Sequence, residues 1–191
     1  SGLLGRVEHA DVQISTREGS DAPWEPMPVP EELDYNMWVG PVQWIDYHPD
    51  RTHYSFRFVP EISGGEIANW GAHYLDSAMQ VLGLDTTGPV AVKGAGRRNP
   101  VGSLHTSYFG IDVDYTFPGG VTMKLRSDDE RGITLRGTKG SLFVSRETMS
   151  TNPPELLREI PKDLANSLRK TPGSHFDNWV TSIKNNCPDM L

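Results

Sequence analysis

The chain has 191 residues, 36% of them hydrophobic, and a formal net charge of −7. That length can bury one sizeable core, and the hydrophobic and aromatic content excludes a disordered chain. The acidic balance, with Arg97-Arg98 as the one Arg-Arg doublet, excludes an electrostatic nucleic-acid or membrane surface.

No apolar run approaches the roughly 20 residues of a membrane span. Cys187 stands alone, so there is no disulfide framework and no Cys-type zinc site. With no signal peptide visible, a cytoplasmic location is expected, export of a longer protein being left open. The chain opens Ser1-Gly2-Leu3-Leu4-Gly5 and closes Cys187-Pro188-Asp189-Met190-Leu191. We read both ends as cuts within a larger protein.

The first element, Arg6 to Ile14, alternates polar and apolar residues and predicts a strand. Residues 16–63 carry seven Pro interleaved with Trp24, Trp38, Trp44, Tyr35, Tyr47 and Tyr54. So long a stretch without periodicity is unusual within a compact domain, and its aromatic load argues for an ordered insert. It either lines a binding site or serves as a structural cover.

A helix is predicted over about 66–82. At 100° per residue, Asn69, His73, Asp76 and Gln80 fall within an arc of roughly 60°. Almost everything else on it is small, apolar or aromatic, so the helix reads as mostly buried with one narrow polar stripe. Such groups are costly to bury unsatisfied, and the stripe faces either a polar cleft or a thin strip of solvent. His73 is the candidate for proton chemistry, because imidazole titrates near neutrality.

Beyond the helix the chain turns strand-rich over 89–145. One strand begins at Pro89. Tyr108 to Phe117 alternates strictly and turns through Pro118-Gly119-Gly120 into Val121 to Arg126, a hairpin pattern. Gly132 to Arg136 and Ser141 to Ser145 flank a second turn, Gly137-Thr138-Lys139-Gly140. Residues 147–172 are polar and Pro-containing, with a short helix around 162–169. Ser174 caps a last helix, 174–186, whose core face is Phe176, Trp179, Val180 and Ile183. The pattern is α+β: an open, mostly antiparallel sheet with helices packed on one face and the other face left for water or a second subunit.

Other motifs carry less. Gly94-Ala95-Gly96 lacks the third glycine and the following helix of a nucleotide fingerprint. His48, His53, His73 and His105 lack metal-ligand spacing, and no metal is expected.

A family resemblance rests on several segments in order. Gly64-Gly65-Glu66-Ile67-Ala68-Asn69-Trp70-Gly71-Ala72-His73-Tyr74-Leu75-Asp76 resembles the catalytic helix of the Gfo/Idh/MocA oxidoreductases. Val29 to Pro41, with Tyr47-His48-Pro49 and Arg57, is similar to the long insert of one branch of that family. Gly2-Leu3-Leu4-Gly5-Arg6-Val7, Arg136-Gly137-Thr138-Lys139-Gly140-Ser141-Leu142 and Ser174 to Trp179 resemble its domain entry, a hairpin and a late helix.

The resemblance implies that 1–191 is one substrate-binding and dimerisation domain, with an NAD- or NADP-binding Rossmann domain, and the catalytic Lys it carries, absent from this chain. It implies hydride transfer at a secondary hydroxyl of a sugar or cyclitol substrate, in either direction, and a homodimer or dimer of dimers through the sheet. His73 matches the catalytic histidine. Asn69 stands where the family usually has Asp, so Asn69→Asp is expected to be tolerated. Asp76 matches a frequent Asp. Trp38, Tyr47, Arg57 and Trp70 are the candidates for sugar contacts, the first three as a wall facing His73. An alternative within the enzyme class is part of an NAD-dependent glycosidase, and one from a different class is a non-catalytic sugar-binding or dimerisation module.

Overall fold

The structure is a computed structural model, and it describes residues 2–15, 17, 19–127, 130–159 and 175–186. Its centre is a seven-stranded sheet of β1 (Val7–Ile14), β2 (Ala91–Arg98), β3 (Tyr108–Thr116), β4 (Thr122–Ser127), β5 (Gly132–Gly137), β6 (Gly140–Val144) and β7 (Met149–Asn152). The order is β2-β3-β4-β1-β5-β6-β7. Among these described strands only the β1–β4 pair is parallel; the other neighbours run antiparallel. The open, mostly antiparallel α+β sheet expected from the sequence is therefore present.

Two of its features differ from that expectation. The sheet is not confined to 89–145: β1 lies at its middle, between β4 and β5. And β7, within the polar, Pro-containing stretch where no strand was expected, pairs with β6 at the sheet edge. Met149, Ser150 and Asn152 are exposed there, so no hydrophobic alternation marks the strand.

Alternation places Ala10, Val12 and Ile14 of β1, Met123 and Leu125 of β4, and Ile133 and Leu135 of β5 on one face, in the main core. The helix α2 (Ala72–Leu82) covers that face through Tyr74 and Ala78. Gly83 ends α2 in the left-handed conformation (φ 67°), its N–H donating to Gln80 and Met79 carbonyls, a turn that glycine makes without a Cβ penalty.

The opposite face is polar. Asp11 on β1 accepts from Arg126 at 3.1 Å and Arg136 at 3.0 Å, with His9 at 3.3 Å. Burial alone would raise the Asp11 pKa, but hydrogen bonds from Arg136 and His9 override it and hold the carboxyl below its ordinary value. Lys124 bridges Asp112 at 2.9 Å and Asp114 at 3.4 Å.

The described residues of the insert, 17 and 19–63, are ordered. They hold α1 (Tyr35–Val39) and 3-10 turns at Pro49–Arg51 and His53–Phe58. Asp34 caps α1, accepting from the Met37 amide at 2.9 Å. His105 ties the insert to the strand that follows: its Nδ1 accepts from the Ser20 amide at 2.8 Å and its Nε2 bonds the Asp50 carbonyl at 2.6 Å.

The last helix, α3 (His175–Asn185), differs from expectation in its packing. Phe176, Trp179 and Ile183 are exposed rather than buried, while Ser182 is buried. The cap at Ser174, the helix at 162–169 and Cys187 lie outside the described residues.

Candidate active site

The predicted helix is not one regular α-helix. Ile67–Gly71 forms a π turn that leads directly into α2. A π turn closes its hydrogen bonds one residue further on than an α-helix does, so Asn69 is not joined to His73 by regular α-helical spacing. Nor is the helix mostly buried. Tyr74 and Ala78 face the core, whereas His73, Asp76, Ser77, Gln80 and Val81 are exposed or only partly covered. The apolar composition came from small residues and a single packed face, not from burial all round.

Glu66, directly before the π turn, is 1% exposed. Its Oε1 accepts from Asn69 Nδ2 at 3.3 Å and lies 3.8 Å from Arg57 Nε. Glu66 Oε2 and Arg57 Nε are buried without a hydrogen-bond partner among the described residues. Burial pushes the Glu66 carboxyl above its ordinary pKa, against the hydrogen bond from Asn69 and the charges of Arg57 and Arg17. Asn69→Asp would set a second carboxylate against this buried one, so the expectation that it is tolerated does not fit the geometry.

Beside His73 lies a hollow of about 470 Å³ between α2 and strands β5 and β6. His73, Asp76 and Ser77 line it from α2, Ile133 from β5, and Val144, Ser145 and Arg146 from the end of β6. Gln80 donates to Asp76 Oδ2 at 3.0 Å. A second hollow of about 420 Å³ shares Tyr74, Ser145 and Arg146 with it and adds Trp70 and Arg131. The Arg131 and Arg146 guanidinium groups lie 4.5 Å and 5.0 Å from the Trp70 ring, within cation–π range. Trp70 meets His73 edge-on, with centroids 6.1 Å apart. An apolar hollow of about 440 Å³ between residues 60–67 and β2–β3 has only the Tyr108 phenol as a titratable group in its wall, which makes it a poor place for proton transfer.

The remaining predicted residues fall elsewhere. Trp38 and Tyr47 do not wall the His73 hollow. Tyr35 stacks on Trp38 at 5.6 Å and meets Trp44 and Tyr47 edge-on, each at 5.2 Å. Tyr35, Val39 and Tyr47, with Trp38 packed against them, form a small core of the insert's own. Arg57 lies over the Tyr54 ring at 3.6 Å and beside Glu66, not beside His73. His73, Asp76 and Trp70 are therefore brought together, with Asn69 one turn earlier on Glu66.

Sequence reasoning missed Glu66, Arg131 and Arg146. Glu66 had a signal, standing three residues before Asn69, the spacing at which helical side chains meet. Arg131 and Arg146 had none, because only the β5–β6–β7 pairing carries them to Trp70.

Chemically the site offers an exposed imidazole, an indole face and a hydrogen-bonded carboxylate around an open hollow. Among the described residues no group of three or more His, Cys, Asp or Glu is placed to hold a metal ion. A dinucleotide does not fit these residues by its phosphates. That grip needs a glycine turn feeding a helix N-terminus, and Gly94, Ala95 and Gly96 lie inside strand β2. No described helix is long and apolar enough to cross a membrane.

Comparison with known proteins gave one family. A model described as the C-terminal alpha/beta domain of an oxidoreductase family, Gfo/Idh/MocA, matches residues 17–177. No curated protein sequence matched. Similar solved structures include an aldose-aldose oxidoreductase from Caulobacter crescentus complexed with glycerol, 16% identical over 78% of this chain and 37% of that one, TM-score 0.47. A levoglucosan dehydrogenase in complex with NADH and L-sorbose is 16% identical over 78% of this chain and 36% of its own, TM-score 0.48. An NAD-binding protein from Listeria innocua is 17% identical over 78% of this chain and 40% of its own, TM-score 0.42. The chain thus spans well under half the length of these structures. By the family match over most of its length, the chain belongs to the Gfo/Idh/MocA oxidoreductase family, as its C-terminal alpha/beta domain.

Proposed function

We propose that this chain is the substrate-binding and dimerisation domain of an NAD- or NADP-dependent oxidoreductase that acts on a secondary hydroxyl of a sugar or cyclitol. The nucleotide is held by another part of the whole protein, and the chain alone is inactive. The observation that carries the reading is His73, exposed at the mouth of a hollow next to Asp76 and Trp70.

In that reading His73 takes the proton from the substrate hydroxyl, and Asp76 and Asn69 hold neighbouring hydroxyls. The Trp70 face supplies the apolar platform that sugar C–H groups pack on. The polar outer face of the sheet is the surface for a second copy, with the Asp11 and Lys124 networks at its centre.

His73→Ala in the full-length protein tests the reading. It should lower kcat by roughly 10²- to 10⁴-fold, the usual range for a positioned acid–base group, with Tm nearly unchanged because the side chain is exposed. A fall in Tm with intact turnover would end the catalytic assignment.

A further inference from the structure

Among the described residues Glu66 is the one buried carboxyl at this site, and the proposed proton chemistry does not use it. It is 1% exposed, and a carboxylate so placed ordinarily gathers several donors. Here one carboxamide N–H reaches Oε1 at 3.3 Å, and Oε2 has no hydrogen-bond partner among the described residues. Three elements supply its surroundings. Asn69 comes from the π turn, Arg57 from the 3-10 turn His53–Phe58, and Arg17, acting by its charge, from the segment after β1. Tyr54 is held against Arg57 and Arg17, the Arg17 Nη1 donating to its hydroxyl at 3.0 Å. The phenol therefore draws on the same two cations that face the carboxyl.

We infer that Glu66 is a positioning residue, whose carboxyl fixes the hydrogen-bond polarity that Asn69 offers to a substrate hydroxyl. An ionised carboxylate only accepts. It therefore binds the Asn69 NH₂ and leaves Oδ1 as the group offered to the substrate. A protonated Glu66 has an O–H to donate. It can take Oδ1 instead, turning the carboxamide over and offering NH₂. Arg57 at 3.8 Å and the Arg17 charge favour the ionised form, while burial opposes it. The inference rests on the site reading above, because it matters to turnover only if Asn69 contacts substrate. It also accounts for Asn at 69: a carboxylate there would face a second one across a buried gap, and one of the two would have to hold a proton.

The pair can be reversed chemically, which gives the test. Wild type, Glu66→Gln, Asn69→Asp and the double variant are prepared in the full-length protein. Each is assayed with glucose, xylose and myo-inositol, using NAD⁺ and NADP⁺, and melted at pH 5 and pH 8. In the double variant the carboxamide at position 66 donates and the carboxylate at position 69 accepts, so the bond returns with opposite polarity.

Asn69→Asp should lose about tenfold in kcat/KM at pH 8, and the double variant should recover to within about threefold, a coupling within the range of contacting residues. Asn69→Asp should also melt lower than wild type, by more at pH 8 than at pH 5, and the double variant should regain most of that Tm. Additive Tm changes would overturn the inference even if none of the sugars is turned over. Coupling in Tm with strictly additive kcat/KM would reduce Glu66 to a structural role and overturn it too. Intact turnover in His73→Ala, by contrast, defeats the site reading while the Tm cycle still reports on the pair.

Discussion

Two carboxyl groups of this chain are buried in different company. Asp11, on the outer face of the sheet, has two guanidinium groups and an imidazole within 3.3 Å. Glu66, before the π turn, has one amide N–H at 3.3 Å and one guanidinium at 3.8 Å. Their pKa values move in opposite directions, Asp11 down and Glu66 up. A carboxylate with its partners around it is part of the architecture. One whose burial is only partly compensated holds a state that a ligand or a proton can change. Under the function proposed above, the sheet face serves structure and assembly, and the π-turn region serves chemistry.

The largest effect that could break this division is the loss of roughly two to four decades in kcat expected for His73→Ala. A similar loss in a variant of the Asp11 network would erase the distinction between the two regions.

The aromatic groups sharpen it next. Tyr47, buried against Tyr35, should behave as core, and Tyr47→Ala should cost about 3 kcal/mol of stability with kcat unchanged. Trp70→Ala should raise KM about tenfold, as expected for losing roughly 1.4 kcal/mol of contact, with a smaller change in Tm. Denaturant unfolding and steady-state kinetics on both variants check this, and a KM effect at Tyr47 would return the insert to the site.

Asp11→Asn should cost about 1 kcal/mol at pH 7, well below a fully buried pair because Arg126 and Arg136 are themselves half exposed. Urea unfolding reads it, and turnover should be unaffected.

The smallest effect is in the pH dependence of Tm, and its sign differs between the two carboxyls. The Asp11 pKa is lowered on folding. Its stabilisation is present above the ordinary Asp value of 3.8 and lost as pH falls through the folded value. The Glu66 pKa is raised. Its folded form is favoured below the ordinary Glu value of 4.5, and that advantage is lost as pH rises through the folded value. Asp11→Asn should therefore flatten the acid limb and Glu66→Gln the limb above pH 4.5. Equal flattening of one limb by both would dissolve the comparison.

The sequence made the sheet legible where its face alternates. Tyr108 to Phe117 and the turns at 118–120 and 138–139 could be read directly, because period-two burial and glycine turns are local. The central place of β1 could not, since its partners are more than a hundred residues away. His73 was visible as a titratable group on an amphipathic helix. The π turn was not, because residues 67–71 read equally well as a regular turn. The aromatic wall failed for a general reason: rings in a Pro-rich insert satisfy one another before they satisfy a ligand.

The place of β1 has a kinetic consequence. Of the described strands, β1 comes first in chain order and sits at the middle of the sheet, and it stays unpaired until residues 122–137 have been synthesised. Its neighbours must close loops of more than a hundred residues, an entropic cost that slows folding. During that interval Ala10, Val12 and Ile14 form an exposed apolar strand of the kind that recruits other chains. Folding yield should depend on concentration and on chaperone supply more than on the final stability of the domain.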